Sequence, residues 1–211
     1  MSVKKNTYEL TAKGIIENLA KRNMEGFYCK DSAELVEKVI SLMEEGSVVS
    51  WGGSETLKEC GLMEAIHSGK YTLIDRTVAK TPKESREIFA KTVLSDYFLM
   101  STNAITLNGE LVNIDGNGNR VAALIQGPSH IFIVAGMNKV AADVEAAYKR
   151  VKTTACPPNA VRLDRNTPCG KTGICNDCLS PDCFCNQIVV TRRSGHAGRI
   201  KVFLVGEELG Y

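Results

Sequence analysis

The chain has 211 residues, of which 44% are hydrophobic and 24% charged, the ordinary balance of a one-domain globular protein with a sizeable core. A net charge of +2 leaves no broad basic surface, which argues against generic binding to nucleic acid. The first residues, MSVKKNTYELTAKG, have no apolar run behind their lysines, and no apolar run is long enough to cross a bilayer. We therefore expect a cytoplasmic protein that does not insert into membranes.

The N-terminal part of the chain predicts helices. Apolar residues recur at helical spacing from Tyr8 to Leu19. A second helix is expected from a capping residue at 31–32 to Gly46. We interpret residues 1–46 as an N-terminal helical segment packed on the core, and residues 47–211 as the main domain.

Strands and helices then alternate along the chain. Strands are predicted at Ser47–Trp51, Tyr71–Ile74, Tyr97–Met100 and Ile131–Ala135, and helices at Thr56–Cys60, Pro82–Val93 and Val140–Val151. Alternation of this kind predicts an α/β fold, with a Rossmann-like, mostly parallel sheet flanked by helices.

Two features depart from this alternation. Asn108-Gly109 separates the apolar segments 104–106 and 111–114, which predicts a tight hairpin turn. A cysteine-rich loop at 167–186 is inserted before two late strands, Gln187–Thr191 and Arg199–Val205, which a loop or a hairpin would join.

Small and polar residues follow three of the predicted strands. They are Gly52, Gly53, Ser54, Glu55 and Thr56, then Thr102, Asn103, Asn113, Asp115, Gly116, Gly118, Asn119 and Arg120, and finally Gly136, Asn138 and Lys139. In open α/β sheets, ligands gather beyond the carboxyl ends of the strands. We therefore predict that these residues line a polar pocket for a small anionic metabolite.

Simpler interpretations of the same residues stay open. The glycines can serve only to make a turn, Ser54 can cap a helix, and the asparagines can satisfy their own backbone. Arg120 suits a carboxylate or phosphate because its planar guanidinium can hold two oxygens at once. The Gly116-x-Gly118 pair lacks the third glycine of a dinucleotide fingerprint and does not indicate NAD. No catalytic residue can be assigned.

Five of the eight cysteines lie in the inserted loop, with the spacing Cys169-x5-Cys175-x2-Cys178-x4-Cys183-x-Cys185. In a reducing compartment, clustered cysteines indicate a metal or an iron–sulfur cluster more than disulfides or free thiols. The single C-x2-C pair differs from the usual pattern of structural zinc sites and is nearer to a ferredoxin-type arrangement. If the segment is extended, Cys183 and Cys185 project to the same face, so either could be the fourth ligand. Zinc remains an alternative.

Four separated motifs resemble the LUD domain family, the lactate-utilization proteins. They are SWGGSETLKECGL, STNAITLNGELVNIDGNGNRVAALIQGP, IFIVAGMNKV and IKVFLVGEELGY, in this order from Trp51 to the C-terminus. The resemblance implies the fold shared by ribose-5-phosphate isomerase, glucosamine-6-phosphate deaminase and CoA-transferases. It also implies an oxidoreductase role in L-lactate oxidation, alongside iron–sulfur partner subunits.

The resemblance also bears on particular residues. The family pattern implies Cys169, Cys175, Cys178 and Cys185 as ligands, and Cys183 stands where relatives usually carry a basic residue. The association with lactate oxidation favours iron–sulfur over zinc. CoA-transferases attack with a glutamate at a position that is Leu107 here, which argues against CoA transfer through an acyl-enzyme.

Three functions follow as hypotheses. The first is a LUD-domain protein of lactate or organic-acid utilization that binds a small anion and a cysteine-ligated centre. The second is a sugar-phosphate isomerase or hydrolase of the same fold. The third is a non-catalytic assembly factor that a structural zinc ion stabilises. The substrate and the oligomeric state are not determined by the sequence, and a homo-oligomer is compatible with all three.

Overall fold

The computed structural model describes residues 3–211, which form two β-sheets and the helices that cover them. The strands in this range are β1 (Glu25–Cys29), β2 (Val48–Trp51), β3 (Thr72–Ile74), β4 (Tyr97–Ser101), β5 (Ala104–Thr106), β6 (Leu111–Asp115), β7 (His130–Gly136), β8 (Val140–Ala141), β9 (Gln187–Thr191) and β10 (Ile200–Val205). The helices are α1 (Val3–Lys21), α2 (Ser32–Ser41), α3 (Glu55–Glu59), α4 (Leu62–Ile66), α5 (Pro82–Val93), α6 (Asn119–Ile125), α7 (Val144–Arg150), α8 (Cys156–Arg162) and α9 (Pro168–Thr172).

The main sheet has six strands in the order β1-β10-β7-β4-β2-β3, and every neighbouring pair is parallel. Its central strands are buried on both faces because successive side chains of a strand point to opposite sides. On β7, Phe132 and Val134 enter one hydrophobic cluster, while Ile131 and Ile133 enter the other. Helices cover both clusters, so the predicted Rossmann-like α/β architecture is confirmed.

A smaller sheet has the order β8-β5-β6-β9 and stands beside the main one. Its β5–β6 hairpin forms as predicted at Asn108-Gly109, where Gly109 has a φ of +86°, a conformation that glycine adopts readily. Strand β9 pairs with β6, whereas β10 lies in the main sheet. The late strands are therefore joined by a loop and not by a hairpin.

Local signals explain most helix boundaries. Asp31 caps α2 by accepting the backbone N–H of Glu34 at 3.0 Å, and Pro82 occupies the first turn of α5. The helix predicted at Val140–Val151 begins only at Val144, because Asp143 caps it and the preceding residues form β8. Helix α2 ends at Ser41, ahead of the predicted Gly46.

Strand β1 was not predicted, and it lies inside the segment interpreted as helical. It pairs with β10 along its whole length, from Glu25 opposite Lys201 to Cys29 opposite Val205. Residues 1–46 therefore contribute an edge strand of the main sheet as well as two helices. In the part of the chain that the structure describes, every helix is too short or too polar to span a bilayer.

Candidate functional site

A polar cavity of about 380 Å³ lies where several strands of the main sheet end. Segments that follow β2, β4, β7 and β10 all contribute to its wall, as does the end of β6. This is the edge of an open α/β sheet at which ligands generally bind. Part of the cysteine-rich loop, residues 181–184, closes the cavity from the opposite side.

The structure brings most of the predicted site residues to this cavity. Its wall includes Gly53, Ser54, Glu55, Thr56, Thr102, Asn103, Asp115, Gly116, Asn119, Arg120 and Lys139. The predicted residues that do not line it are Gly52, Asn113, Gly118, Gly136 and Asn138. The sequence analysis did not find Arg76, Asn159, Arg162, Arg165 and the C-terminal Gly210 and Tyr211, which also line it.

Arg120 lines the cavity, but its guanidinium is bonded entirely within the protein. Nε donates to Asp115 Oδ2 at 3.1 Å. Nη1 donates to the carbonyl of Ser101 and to the side-chain oxygen of Asn113. Nη2 donates to the carbonyl of Ile114 and to the side-chain oxygen of Asn103. Because all five N–H groups of Arg120 already have acceptors, the guanidinium cannot donate to a ligand oxygen without breaking one of these hydrogen bonds. Its role here is to hold the ends of β4 and β6 together and to supply positive charge.

Lys139 lies just after β7 and is 4% exposed. Its Nζ donates to Thr56 Oγ1 at 2.7 Å and to Ser101 Oγ at 2.9 Å. Burial lowers the pKa of Lys139 to about 7, and the positive charges of Arg150 and Arg120 act in the same direction. The site therefore holds an amine that is partly neutral at physiological pH.

The wall of the cavity carries more positive than negative groups. Its three acidic side chains are all ion-paired with arginines of the same wall: Asp115 with Arg120, Glu55 with Arg162, and Asp182 with Arg165. Arg76 and Lys139 also line it, and neither has a carboxylate partner within residues 3–211. The guanidinium of Arg76 is thus left to attract an anion, and Lys139 adds positive charge to the extent that it is protonated.

Two predicted glycines and Asn138 have a positioning role. A Cβ at Gly53 would collide with Nη2 of Arg76, so glycine allows that guanidinium to reach the cavity. A Cβ at Gly136 would lie 2.7 Å from the backbone nitrogen of Leu209. Asn138 accepts the N–H of Leu209 at 3.1 Å and donates to the carbonyl of Gly210 at 3.2 Å. These contacts hold the C-terminal residues against the cavity.

The turn after β2 acts first as a helix cap. Ser54 Oγ accepts the backbone N–H of Leu57 at 3.3 Å, which is the simpler of the two interpretations of this turn. Thr56 is fully buried and contacts Lys139, so its hydroxyl belongs to the floor of the cavity.

The structure brings only some of the cysteines of the inserted loop together: Cys183 interacts through its side chain with Cys178 and with Cys185. All eight cysteines are free, and Cys169 is buried with its sulfur 3.3 Å from Thr167 Oγ1. The sulfur of Cys185 lies 3.5 Å from that of Cys156, a buried cysteine outside the inserted loop. Among the described residues, no three His, Cys, Asp or Glu side chains are grouped closely enough to hold a metal ion. The cysteine-ligated centre therefore stays a prediction.

Two other groups weighed in the sequence lie away from the cavity. Leu107 is 43% exposed at the β5–β6 turn, and Glu110 forms an ion pair with Arg22 and a hydrogen bond with Thr106. Neither lines the cavity, so the turn that carries a nucleophile in CoA-transferases supplies no carboxylate here. The three histidines also lie outside it.

Comparison with solved structures supports the fold. A DUF162 family protein from Deinococcus radiodurans aligns over 94% of this chain and 98% of its own, with a TM-score of 0.55 and 12% identity. The delta subunit of eIF2B from Chaetomium thermophilum aligns over 56% of this chain and 50% of its own, with 17% identity. Its TM-score of 0.36 is too low to establish a shared fold.

Comparison with known sequences gives the family. No curated protein sequence matches the chain. The profile of the LUD domain family matches residues 12–205, which is most of the length and extends further toward the N-terminus than the motifs noted above. The protein therefore belongs to the LUD domain family.

Proposed function

We propose that this protein binds a small anionic metabolite of lactate or related organic-acid utilization in the cavity at the strand ends. The observation that carries the proposal is a wall in which every acidic side chain already has an arginine partner, while Arg76 and Lys139 have no such carboxylate partner among residues 3–211. A cavity of about 380 Å³ falls within the usual size of small-molecule sites. The association of LUD proteins with L-lactate oxidation supports an organic acid as the ligand.

Arg76 and Lys139 have different parts in this proposal. Arg76 is exposed at the rim, where its guanidinium can take two oxygens of a carboxylate or phosphate. Lys139 is buried at the floor and meets the other end of the ligand. Such an arrangement favours a short anion with a second polar group opposite its charged end.

A ligand panel tests the proposal. In a thermal-shift assay with lactate, pyruvate, acetyl-CoA and ribose 5-phosphate, we expect an organic acid to raise the melting temperature as its concentration increases. Saturation at a hundred times Kd corresponds to about 2.7 kcal/mol of stabilisation. Arg76→Ala should abolish most of the shift, because it removes the rim cation.

Arg86→Ala is the matched control, since Arg86 is also exposed but lies on α5, away from the cavity. A shift caused only by ribose 5-phosphate would favour the isomerase or hydrolase alternative. The proposal is wrong if no anion of the panel shifts the wild type, or if Arg76→Ala leaves the shift unchanged.

The cysteine-ligated centre stays a prediction and contributes no step to this proposal. It is tested by purification without oxygen, followed by iron, sulfide and zinc analysis. For a cluster we expect iron and sulfide together with visible absorption, all reduced in Cys178→Ser and retained in Cys29→Ser, which changes a buried cysteine outside the loop. Material prepared in this way that contains neither iron nor zinc would contradict the prediction. We also propose iron–sulfur partner subunits and self-association. In the same preparation, co-purification would detect the partner subunits, and light scattering would detect self-association.

A further inference from the structure

The two hydroxyl groups that contact Lys139 donate their own hydrogens to backbone carbonyls. Thr56 Oγ1 donates to the carbonyl of Leu209 at 3.3 Å, and Ser101 Oγ donates to the carbonyl of Thr102 at 3.2 Å. Both hydroxyls must therefore accept from Lys139 Nζ, at 2.7 and 2.9 Å. Two of the N–H groups of the lysine are fixed in direction by these bonds.

These two hydrogen bonds fix the direction of the lone pair on Lys139 Nζ when the amine is neutral. A neutral amine has two hydrogens and one lone pair, so both hydrogens are used and the lone pair takes the third direction. Lys139, Thr56 and Ser101 all line the cavity, so a ligand bound there lies next to this amine. The amine is thereby held with its lone pair available to a bound ligand.

The charges around Lys139 favour this neutral form. Arg150 and Arg120 repel the ammonium, Glu59 is the acidic group that opposes them, and the two direct partners are uncharged. Burial adds to the effect because it removes the ammonium from water. An ordinary exposed lysine, by contrast, has only about one part in a few thousand neutral at pH 7.

We infer that Lys139 is a nucleophilic amine that forms a Schiff base with the carbonyl carbon of a small 2-oxo acid bound in the cavity. The inference rests on the proposed function and deepens it by naming the substrate class. The positive charge of the cavity wall favours an anion. The lone pair of Lys139 Nζ can attack an electrophilic carbon of that anion. A 2-oxo acid combines the two in adjacent groups.

The step is balanced without an added oxidant or reductant. The lone pair of Nζ forms a bond to the carbonyl carbon, and the π electrons of the C=O bond move to oxygen. A proton passes from nitrogen to that oxygen, which gives a carbinolamine. The carbinolamine then loses its hydroxyl with one proton as water, leaving a C=N bond to Nζ.

Reductive trapping tests the inference. The full chain is incubated with pyruvate and sodium cyanoborohydride at pH 7, and the product is analysed by intact mass and peptide mapping. We expect a single adduct on Lys139 and its loss in Lys139→Met. Lys149→Arg changes an exposed lysine and should leave the adduct in place.

A second variant guards against a folding defect. Ser101→Ala keeps the lysine but removes one of the two hydroxyls that orient it, and should make trapping roughly tenfold slower. Circular dichroism of both variants confirms that the chain is folded. An adduct that forms at the same rate in Ser101→Ala would contradict the orienting role.

The outcomes separate this inference from the proposed function. If pyruvate raises the melting temperature but no adduct forms on Lys139, the inference fails and anion binding stands. If adducts spread over exposed lysines at equal rates, the inference also fails. If no 2-oxo acid binds or is trapped, the inference fails, and the other anions of the panel decide the proposed function.

Discussion

Arg120→Ala is expected to lower the free energy of unfolding by about 4 kcal/mol, the usual cost of removing one partner from a buried ion pair. The substitution leaves the carboxylate of Asp115 buried without its cation, at 8% exposure. It also leaves two amide oxygens and two backbone carbonyls without the donors that they have in the wild type. Urea denaturation followed by circular dichroism, with no ligand present, measures the effect.

Two companion variants make the Arg120 result specific. Arg120→Lys should recover only part of the loss, because an ammonium has three donors where the guanidinium uses five. Arg86→Ala, on an exposed face of α5, should change the free energy of unfolding by less than about 0.5 kcal/mol. A loss below about 1 kcal/mol for Arg120→Ala would mean that the guanidinium is not structural and is free to bind ligand.

Lys139→Met is expected to raise the free energy of unfolding at pH 6 by about 2 kcal/mol, and this gain should reverse by pH 10. At pH 6 the wild type must bury an ammonium, whose lowered pKa of about 7 corresponds to a cost on the order of 4 kcal/mol. Methionine removes that cost but forfeits two hydrogen bonds, each worth about 1 kcal/mol.

The direction of the pH dependence follows from proton counts. Between pH 7 and the ordinary lysine pKa of 10.5, the unfolded chain binds a proton at Lys139 that the folded chain does not. The stability contributed by this residue in the wild type therefore rises with pH across that window, and is lowest below it. Urea denaturation at several pH values measures the difference between wild type and variant, with Lys149→Met as the exposed control. A difference that is constant with pH would contradict the lowered pKa.

Much of the fold could be predicted because it rests on local signals. Helix α5 matches its predicted bounds, since Thr81 caps it and Pro82 opens it. Strand β1 was missed because its sequence, EGFYC, shows no alternation, and its stability comes from pairing with β10 at the far end of the chain. The start of α7 was misplaced although Asp143, a strong capping residue, marks it.

The site could be predicted only where its residues follow strands. Lys139 was found in this way, because the carboxyl ends of parallel strands share one edge of the sheet. Arg76 was missed although it follows the predicted strand Tyr71–Ile74, whereas Arg162 and Arg165 follow no predicted strand and reach the cavity only through the folding of the whole chain. The structural role of Arg120 could not be predicted either, since its acceptors come from two separate segments, 101–103 and 113–115.

The position of β10 between β1 and β7 has a consequence for synthesis on the ribosome. Strand β1 is translated among the first residues, yet its one neighbour in the main sheet is made near the end. Until residues 200–205 emerge, the nascent polypeptide carries two open strand edges that can pair with other chains. The main sheet therefore cannot be completed until β10 has been synthesised, long after β1.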